Sequence, residues 1–243
     1  MAVFLREDIP VLFIVKKLSA LAELNASETD VLRRISVVTH DCRPGEELQA
    51  EGAPIGPPRL ILSGWACRSR LLSNGRRQVF AFLLPGDTLG VESGPSFAAL
   101  NGVSALTRMT FGDAQPLQRA LKEEGEFPGL AQAVARSDRL GEAILLNHIM
   151  RLGCQTAYER MAHLLLELSS RLNLVGLADD WRFPLPLTQD VLAEALGLSV
   201  VHINRTVQQL RRDGMIELAG GRVRLLQPDR LAHIANYRQP RAL

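Results

Sequence analysis

The sequence predicts an α+β chain in three parts: a β-rich first half, one long helix, and a closing pair of short helices with a hairpin. Three observations carry that prediction. Asn74-Gly75 stands between two β-capable runs, Trp65 to Leu72 and Gln78 to Leu84. An Asn-Gly pair tolerates positive φ at both central positions of a hairpin turn. From Pro128 to Leu152, Val134, Gly141, Leu145, Ile149 and Leu152 fall three, four or seven apart, the spacing of a narrow apolar stripe on a helix. Leu187 to Ser199 then reads as helix, glycine turn and cap, the signature of two helices packed across a tight turn.

Size and charge set the frame. At 243 residues, 47% of them hydrophobic, the chain can bury a substantial core as one large domain or two modest ones. The apolar run nearest the start, Ile9 to Val15, is short, contains Pro10 and meets Lys16-Lys17. It lacks a small-residue cleavage site, so neither a signal peptide nor a membrane span is expected, and the chain reads as cytoplasmic. Cys42, Cys67 and Cys154 lie far apart and form no CxxC pair, which fits free thiols in a reducing compartment. From Arg182 onward there are nine arginines against five acids, so this end carries +4 of an overall +2. A basic end on a near-neutral body suits a polyanionic partner, although a solvated basic face has the same composition.

The elements follow in order. Residues 20–35 read as a short helix with Leu21, Leu24, Val31, Leu32 and Ile35 as its apolar positions. Turns are expected at Arg43-Pro44-Gly45-Glu46, in the Gly/Pro-rich loop from Ala53 to Pro58, and at Pro85-Gly86-Asp87. Short strands between them imply a small β-sandwich or barrel over 36–117. The long helix either packs on its own domain or pairs with a second copy; pairing is favoured because little else in the chain is left to cover it. Thr156 to Leu172 reads as another helix with Leu164, Leu165, Leu168 and Leu172 inside, and Gly176 to Pro186 as a loop.

The closing segment carries the most specific chemistry. Thr188 can cap the first short helix, with Asp190 favourable in its first turn. Leu192 and Leu196 face inward, Ala193 is small where two helices cross, and Gly197 accepts the left-handed conformation that ends a helix. Ser199 can cap the next helix, whose Ile203, Val207 and Leu210 form the expected core face. Val201, Arg205, Gln208 and Arg212 lie opposite, flanked by His202, Asn204 and Gln209. Such a face suits the major groove: arginine bonds guanine bidentately, asparagine or glutamine reads adenine, and an apolar group meets the thymine methyl. Met215 to Leu218, Ala219-Gly220-Gly221 and Arg222 to Leu225 form an alternating hairpin, completing a winged helix-turn-helix with Arg222 on the wing.

These motifs resemble the Crp-Fnr family of transcription regulators through nearly the whole chain. The most specific stretch is Leu187 to Glu217, above all Ala193-x-x-x-Gly197-Leu198-Ser199 and His202-Ile203-Asn204-Arg205-Thr206; upstream, Asn74-Gly75 and Leu84-Pro85-Gly86-Asp87-Thr88-Leu89-Gly90 stand where that family places them. The resemblance implies an N-terminal jelly roll of the cyclic-nucleotide-binding type over 1–127, a dimerisation helix over 128–153 and a DNA-binding domain over 154–243. It implies base reading by Val200, Val201 and Arg205 and phosphate contact by Thr188, Gln189 and Ser199. Family members known for catabolite control carry charged residues at the first two base-reading places. Two valines here mean that their operator sequence does not carry over.

The same resemblance frames the sensor. Relatives that bind cyclic AMP use a Gly-Glu step for the ribose and an Arg-Ser/Thr-Ala step for the cyclic phosphate. This chain has Gly90-Val91-Glu92 and Val103-Ser104-Ala105, so Glu92 is displaced by one residue and valine replaces the arginine. Losing a charge-assisted bond to a buried phosphate costs on the order of 1.5–3 kcal/mol, and cyclic AMP is not expected to bind in the usual way. An iron–sulfur cluster needs about four thiolates and the chain has three cysteines. None of His40, His148, His163, His202 and His233 stands in a context that singles out haem. No metal or cofactor is expected, and the effector is unidentified. No GxSxG, HExxH, phosphate-cradling loop or GxGxxG occurs, so no enzyme class is indicated. The expected partners are a near-palindromic DNA duplex, a second copy of the chain and, as a further candidate, RNA polymerase. The competing reading is a ligand-binding or protein-interaction module whose helix-turn-helix is vestigial.

Overall fold

The computed structural model describes residues 11–35, 37–91 and 98–239, with the side chains of 37–41 left aside. Among these residues the chain forms two compact units. One takes the chain up to Arg70 together with Phe82–Arg139; the other takes Leu71–Ala81 and the chain from Leu140 onward.

Eight short strands form the β part of the described chain: β1 (Val37–Cys42), β2 (Glu47–Gln49), β3 (Arg59–Ser63), β4 (Ala66–Leu71), β5 (Arg77–Leu83), β6 (Thr88–Leu89), β7 (Gly102–Ala105) and β8 (Met109–Asp113), of which the end of β4 and most of β5 are counted with the second unit. They form two four-stranded sheets, ordered β1-β8-β3-β6 and β2-β7-β4-β5, a jelly roll. The core lies between the sheets: Cys42, Ile61, Met109 and Phe111 from one meet Ala66, Leu83, Val103 and Ala105 from the other. Side chains from the inner faces of the two sheets meet there, and β3 is buried along Leu60, Ile61 and Leu62. The hairpin expected at Asn74-Gly75 is present, but its turn differs. Leu72 and Arg76 close a three-residue loop, in which the Leu72 amide donates to the Arg76 carbonyl (2.8 Å). Only Gly75 has a positive φ, 81°. The Asn74 side chain accepts the Arg76 amide instead (3.1 Å), a local bond that holds asparagine out of the left-handed region.

The single helix expected over 20–35 is two helices, α1 (Val11–Leu21) and α2 (Ala26–Arg33). Asn25 breaks them apart by capping α2, in a capping box with Glu28. The run that begins at Val11 is the amphipathic face of α1, with Val11, Ile14, Leu18 and Leu21 buried. Glu28 has a second role. Its carboxylate, 1% exposed, accepts the backbone amides of Gly129 (2.6 Å) and Leu130 (3.1 Å), the first turn of α4 (Pro128–Cys154). An anion there satisfies otherwise orphaned amides at the positive end of the helix. The approach is close enough to require glycine: a Cβ at Gly129 would stand 2.5 Å from both the Glu23 carbonyl and the Glu28 carboxylate. Short helix α3 (Gln115–Ala120) precedes α4.

The second unit holds the later half of α4, then α5 (Ala157–Leu174), β9 (Arg182–Pro184), α6 (Gln189–Leu196), α7 (Val200–Arg212), β10 (Ile216–Ala219), β11 (Arg222–Leu225) and α8 (Pro228–Ile234). The stretch from Gly176 to Pro186, expected to be loop throughout, contains β9, which pairs with β11 and extends the wing to a three-stranded sheet. Its backbone groups find partners there, which a three-residue strand without period-2 alternation did not announce. Among the described residues no helix is long and apolar enough to cross a membrane.

Candidate nucleic-acid interface

The helix-turn-helix forms from the capping chemistry its sequence supplies. Thr188 caps α6 by accepting the Val191 amide (3.3 Å), and Ser199 caps α7 by accepting the His202 amide (3.3 Å). Between them Gly197 sits in the left-handed region at φ 62°. Any side chain at Gly197 would be strained there, and its Cβ would also press to 3.1 Å on Leu152.

Helix α7 separates into the two faces its sequence proposes, with one exchange. Ile203 and Leu210 are buried, but the third inward residue is Thr206 rather than Val207, which is half-buried. The buried face is therefore turned towards Thr206: at about 100° per residue, 203, 210 and 206 span roughly 60° around the axis with 210 in the middle, while 207 lies on the other side of 203. Val201, Asn204, Arg205, Gln208 and Arg212 are all exposed, as is His202, and Val200 is half-buried at the first turn. No acid occurs anywhere in α7. Arg205 and Arg212 are therefore unopposed by any carboxylate of their own helix, and the amides of its first turn add positive potential. Thr188, Gln189 and Ser199 are exposed beside them. The cap uses the hydroxyl oxygen of Thr188 as an acceptor, which leaves its O–H proton available to donate, while the Ser199 hydroxyl also meets His202 Nδ1 at 3.3 Å.

The wing is a regular hairpin. Ala219 pairs with Arg222 across Gly220-Gly221, both at positive φ, so this turn is the two-residue type. Val223 and Leu225 face inward, Arg224 is exposed and Arg222 half-buried at the turn.

What holds these elements was not readable from the motif. Arg160, on α5, donates to three carbonyls at once: Leu196 at the end of α6 (2.9 Å), Leu152 near the end of α4 (3.0 Å) and Gln155 (2.8 Å). A guanidinium suits this because helix C-termini present unpaired carbonyls and negative potential. Tyr158 donates its hydroxyl to Asp213 just past α7 (3.0 Å). Burial and that carboxylate push its pKa up to about 12, so it remains a donor at neutral pH. Beneath them Arg151 forms a buried ion pair with Glu167 (2.7 Å, each side chain 3% exposed). It also lies 3.2 Å from His163 and 3.4 Å from His148. His163 and Glu167, legible only as a shared helix face, thus serve as the walls of an arginine site.

This cluster carries a pH dependence. Burial first, then the Arg151 cation, push His148 and His163 down from 6.5 to about 4. Unfolded, each takes up a proton near pH 6.5; folded, each resists until about 4. The unfolded chain therefore binds more protons in that window, and stability is lost as pH falls through it. The denaturation midpoint is expected to drop markedly between pH 7.5 and 5. Substituting His148 and His163 by glutamine should flatten that slope, and an equally steep profile in the double variant would assign it elsewhere.

The residues proposed for a sensor pocket fall in different settings. Val103 and Ala105 belong to the apolar core between the two sheets. Ser104 is half-buried with its hydroxyl 3.5 Å from Cys67 Sγ. Gly90 lies at φ 74° against the carbonyls of Gly56 and Pro57. Glu92 lies outside the described residues. No group of three or more His, Cys, Asp or Glu able to hold a metal ion occurs among the described residues.

The geometry has counterparts in known proteins. A family model for a Crp-like helix-turn-helix domain matches residues 159–234, spanning α5 through α8. The nitrogen fixation regulation protein FixK of Bradyrhizobium diazoefficiens is 33% identical over 176 residues, 72% of each chain. FixK of Rhizobium meliloti is 30% identical over 197 residues, 80% of this chain and 85% of its own. Among solved structures, FixK2 from Bradyrhizobium japonicum is similar with a TM-score of 0.69 and 28% identity, covering 82% of this chain and 98% of that one.

Proposed function

The chain belongs to the Crp-Fnr family of transcription regulators and is a DNA-binding regulator of that kind; from that premise we propose that it works in the cytoplasm as a homodimer on a near-palindromic operator. The observation that carries this reading is α7: a capped, acid-free helix whose exposed face offers Arg205, Asn204 and Gln208 beside two valines. Two such helices enter successive major grooves, with half-sites about one helical turn, roughly 34 Å, apart. Arg205 bonds a guanine bidentately, Asn204 and Gln208 answer adenine, and Val200 and Val201 meet thymine methyls. Thr188, Gln189, Ser199, Arg212 and the wing's Arg222 hold phosphates. Dimerisation runs along α4, where Leu145, Leu146 and Ile149 are 44%, 60% and 67% exposed. A dimer bound near a promoter stands beside RNA polymerase, the further partner in this reading; no catalytic role is proposed.

The jelly roll serves as a sensor that does not take cyclic AMP in the family's usual way. Val103 stands where the phosphate-binding arginine would be and is 3% exposed within an apolar cluster, which offers a cyclic phosphate no charge.

Selection of bound sites from random duplexes tests the reading directly. The wild-type chain is expected to return a two-fold symmetric motif. Arg205→Ala should relax one position per half-site, losing about 1–3 kcal/mol of discrimination there. Unchanged selectivity would remove Arg205 from base reading. Recovery of no motif, with sequence-blind and steeply salt-dependent binding, would favour a vestigial DNA-binding domain instead.

A further inference from the structure

A cavity of about 430 Å³ opens in the second unit between α5, the turn ahead of β9, and α8 with the residues that follow it. That volume falls in the range of small-molecule sites. Ser169, Ser170 and Asn173 line it from α5, Asp229 from α8, and Trp181 and Tyr237 supply its aromatic surface. None of the described residues lining it is basic.

Two features set this cavity apart from an ordinary surface groove. Asp179 and Arg182 exchange both backbone hydrogen bonds (3.0 and 2.7 Å), closing a two-residue turn of the kind that prefers Asn-Gly. The residues in it are Asp180 and Trp181, at φ 44° and 59°, a conformation that L side chains rarely adopt and a bulky one least of all. Strain of this kind gathers at functional sites, and here it holds an indole 46% exposed at the cavity wall. The second feature is Tyr237 at the same wall, a largely buried phenol whose hydroxyl has Ser170 as its hydrogen-bonding neighbour.

We propose that this cavity is a ligand site within the DNA-reading unit, and that it takes a small planar molecule bearing an amine or another cationic donor. The Asp180 carboxylate is already engaged by Arg224, so Asp229 meets the cation. The hydroxyls and amide of Ser169, Ser170 and Asn173 accept its remaining donors, while Trp181 stacks on its flat part. Anionic ligands are disfavoured by the same carboxylates. The Tyr237 ring stands edge-on to His163, with centroids 4.9 Å apart and planes at 84°, and His163 touches Arg151. Occupancy therefore reaches the cluster that supports the helix-turn-helix.

The test uses the full chain with phenethylamine as cationic probe and 3-phenylpropionate as its anionic counterpart. Of the two tryptophans, Trp65 is 3% exposed, so quenching excited at 295 nm reports on Trp181. Phenethylamine is expected to quench saturably with a Kd of about 1 mM or below, and 3-phenylpropionate at least tenfold more weakly. Asp229→Asn and, independently, Asn173→Leu should each weaken phenethylamine at least fivefold while leaving affinity for DNA without the probe unchanged. Absence of saturation, equal binding of the anion, or indifference to both substitutions would overturn the proposal.

Discussion

Replacing Arg151 by methionine is expected to destabilise the second unit by about 3–5 kcal/mol, the typical cost of stranding one member of a buried ion pair. Glu167, 3% exposed, would keep only Arg171 at 3.8 Å, too long for a hydrogen bond. Much of the loss comes from the uncompensated charge rather than from the attraction removed. The double variant Arg151→Met/Glu167→Met should therefore recover most of it, because two apolar side chains of similar volume leave no charge behind. Chemical denaturation of both variants and the parent measures this. A single variant that loses less than about 1 kcal/mol, or a double variant no better than the single, would mean that water reaches Glu167.

Substituting Ile149 by aspartate tests the other large effect. Ile149 is 67% exposed in the isolated chain, so its replacement should shift the stability of one chain by no more than about 0.5 kcal/mol. In a dimer joined along α4, however, it places a carboxylate in the apolar seam. Sedimentation is expected to show monomers, and affinity for a two-half-site duplex should fall at least 100-fold through loss of bivalent binding. Affinity for a single half-site should stay nearly constant. A variant that sediments as the parent does would put the dimer contact elsewhere.

The sequence disclosed what is encoded locally. Caps at Thr188 and Ser199, the turn glycine at 197, the Gly-Gly wing and the long helix are all written in short windows, and each is present. Local chemistry also explains two shifts. Asn25 has an asparagine's capacity to cap, and it divided one expected helix into two; Asn74 bonded forward to Arg76 and changed a turn type. Contacts made across the fold stayed hidden. Arg160 and Arg151 look like surface arginines in sequence, since their decisive partners, Leu196 and Glu167, lie 36 and 16 residues further along the chain. Trp181 sits in a turn whose usual residues are asparagine and glycine, so no turn signal announced it. The groove-facing residues of α7 were legible because helical period alone sorts a capped, amphipathic helix into two faces.

The cap that Glu28 places on α4 also bears on how the chain folds. Its two amide partners lie 101 and 102 residues downstream. During synthesis, α1 and α2 can form early, but Glu28 has no helix end to meet until the residues that begin α4 have been made. Closing so long a loop is slow, because its entropy must be lost before the contact repays it. The first unit should therefore consolidate late, once both of its sheets and the start of α4 are available. A chain truncated before Pro128 is expected to leave the Glu28 carboxylate to water and the helix pair loosely held.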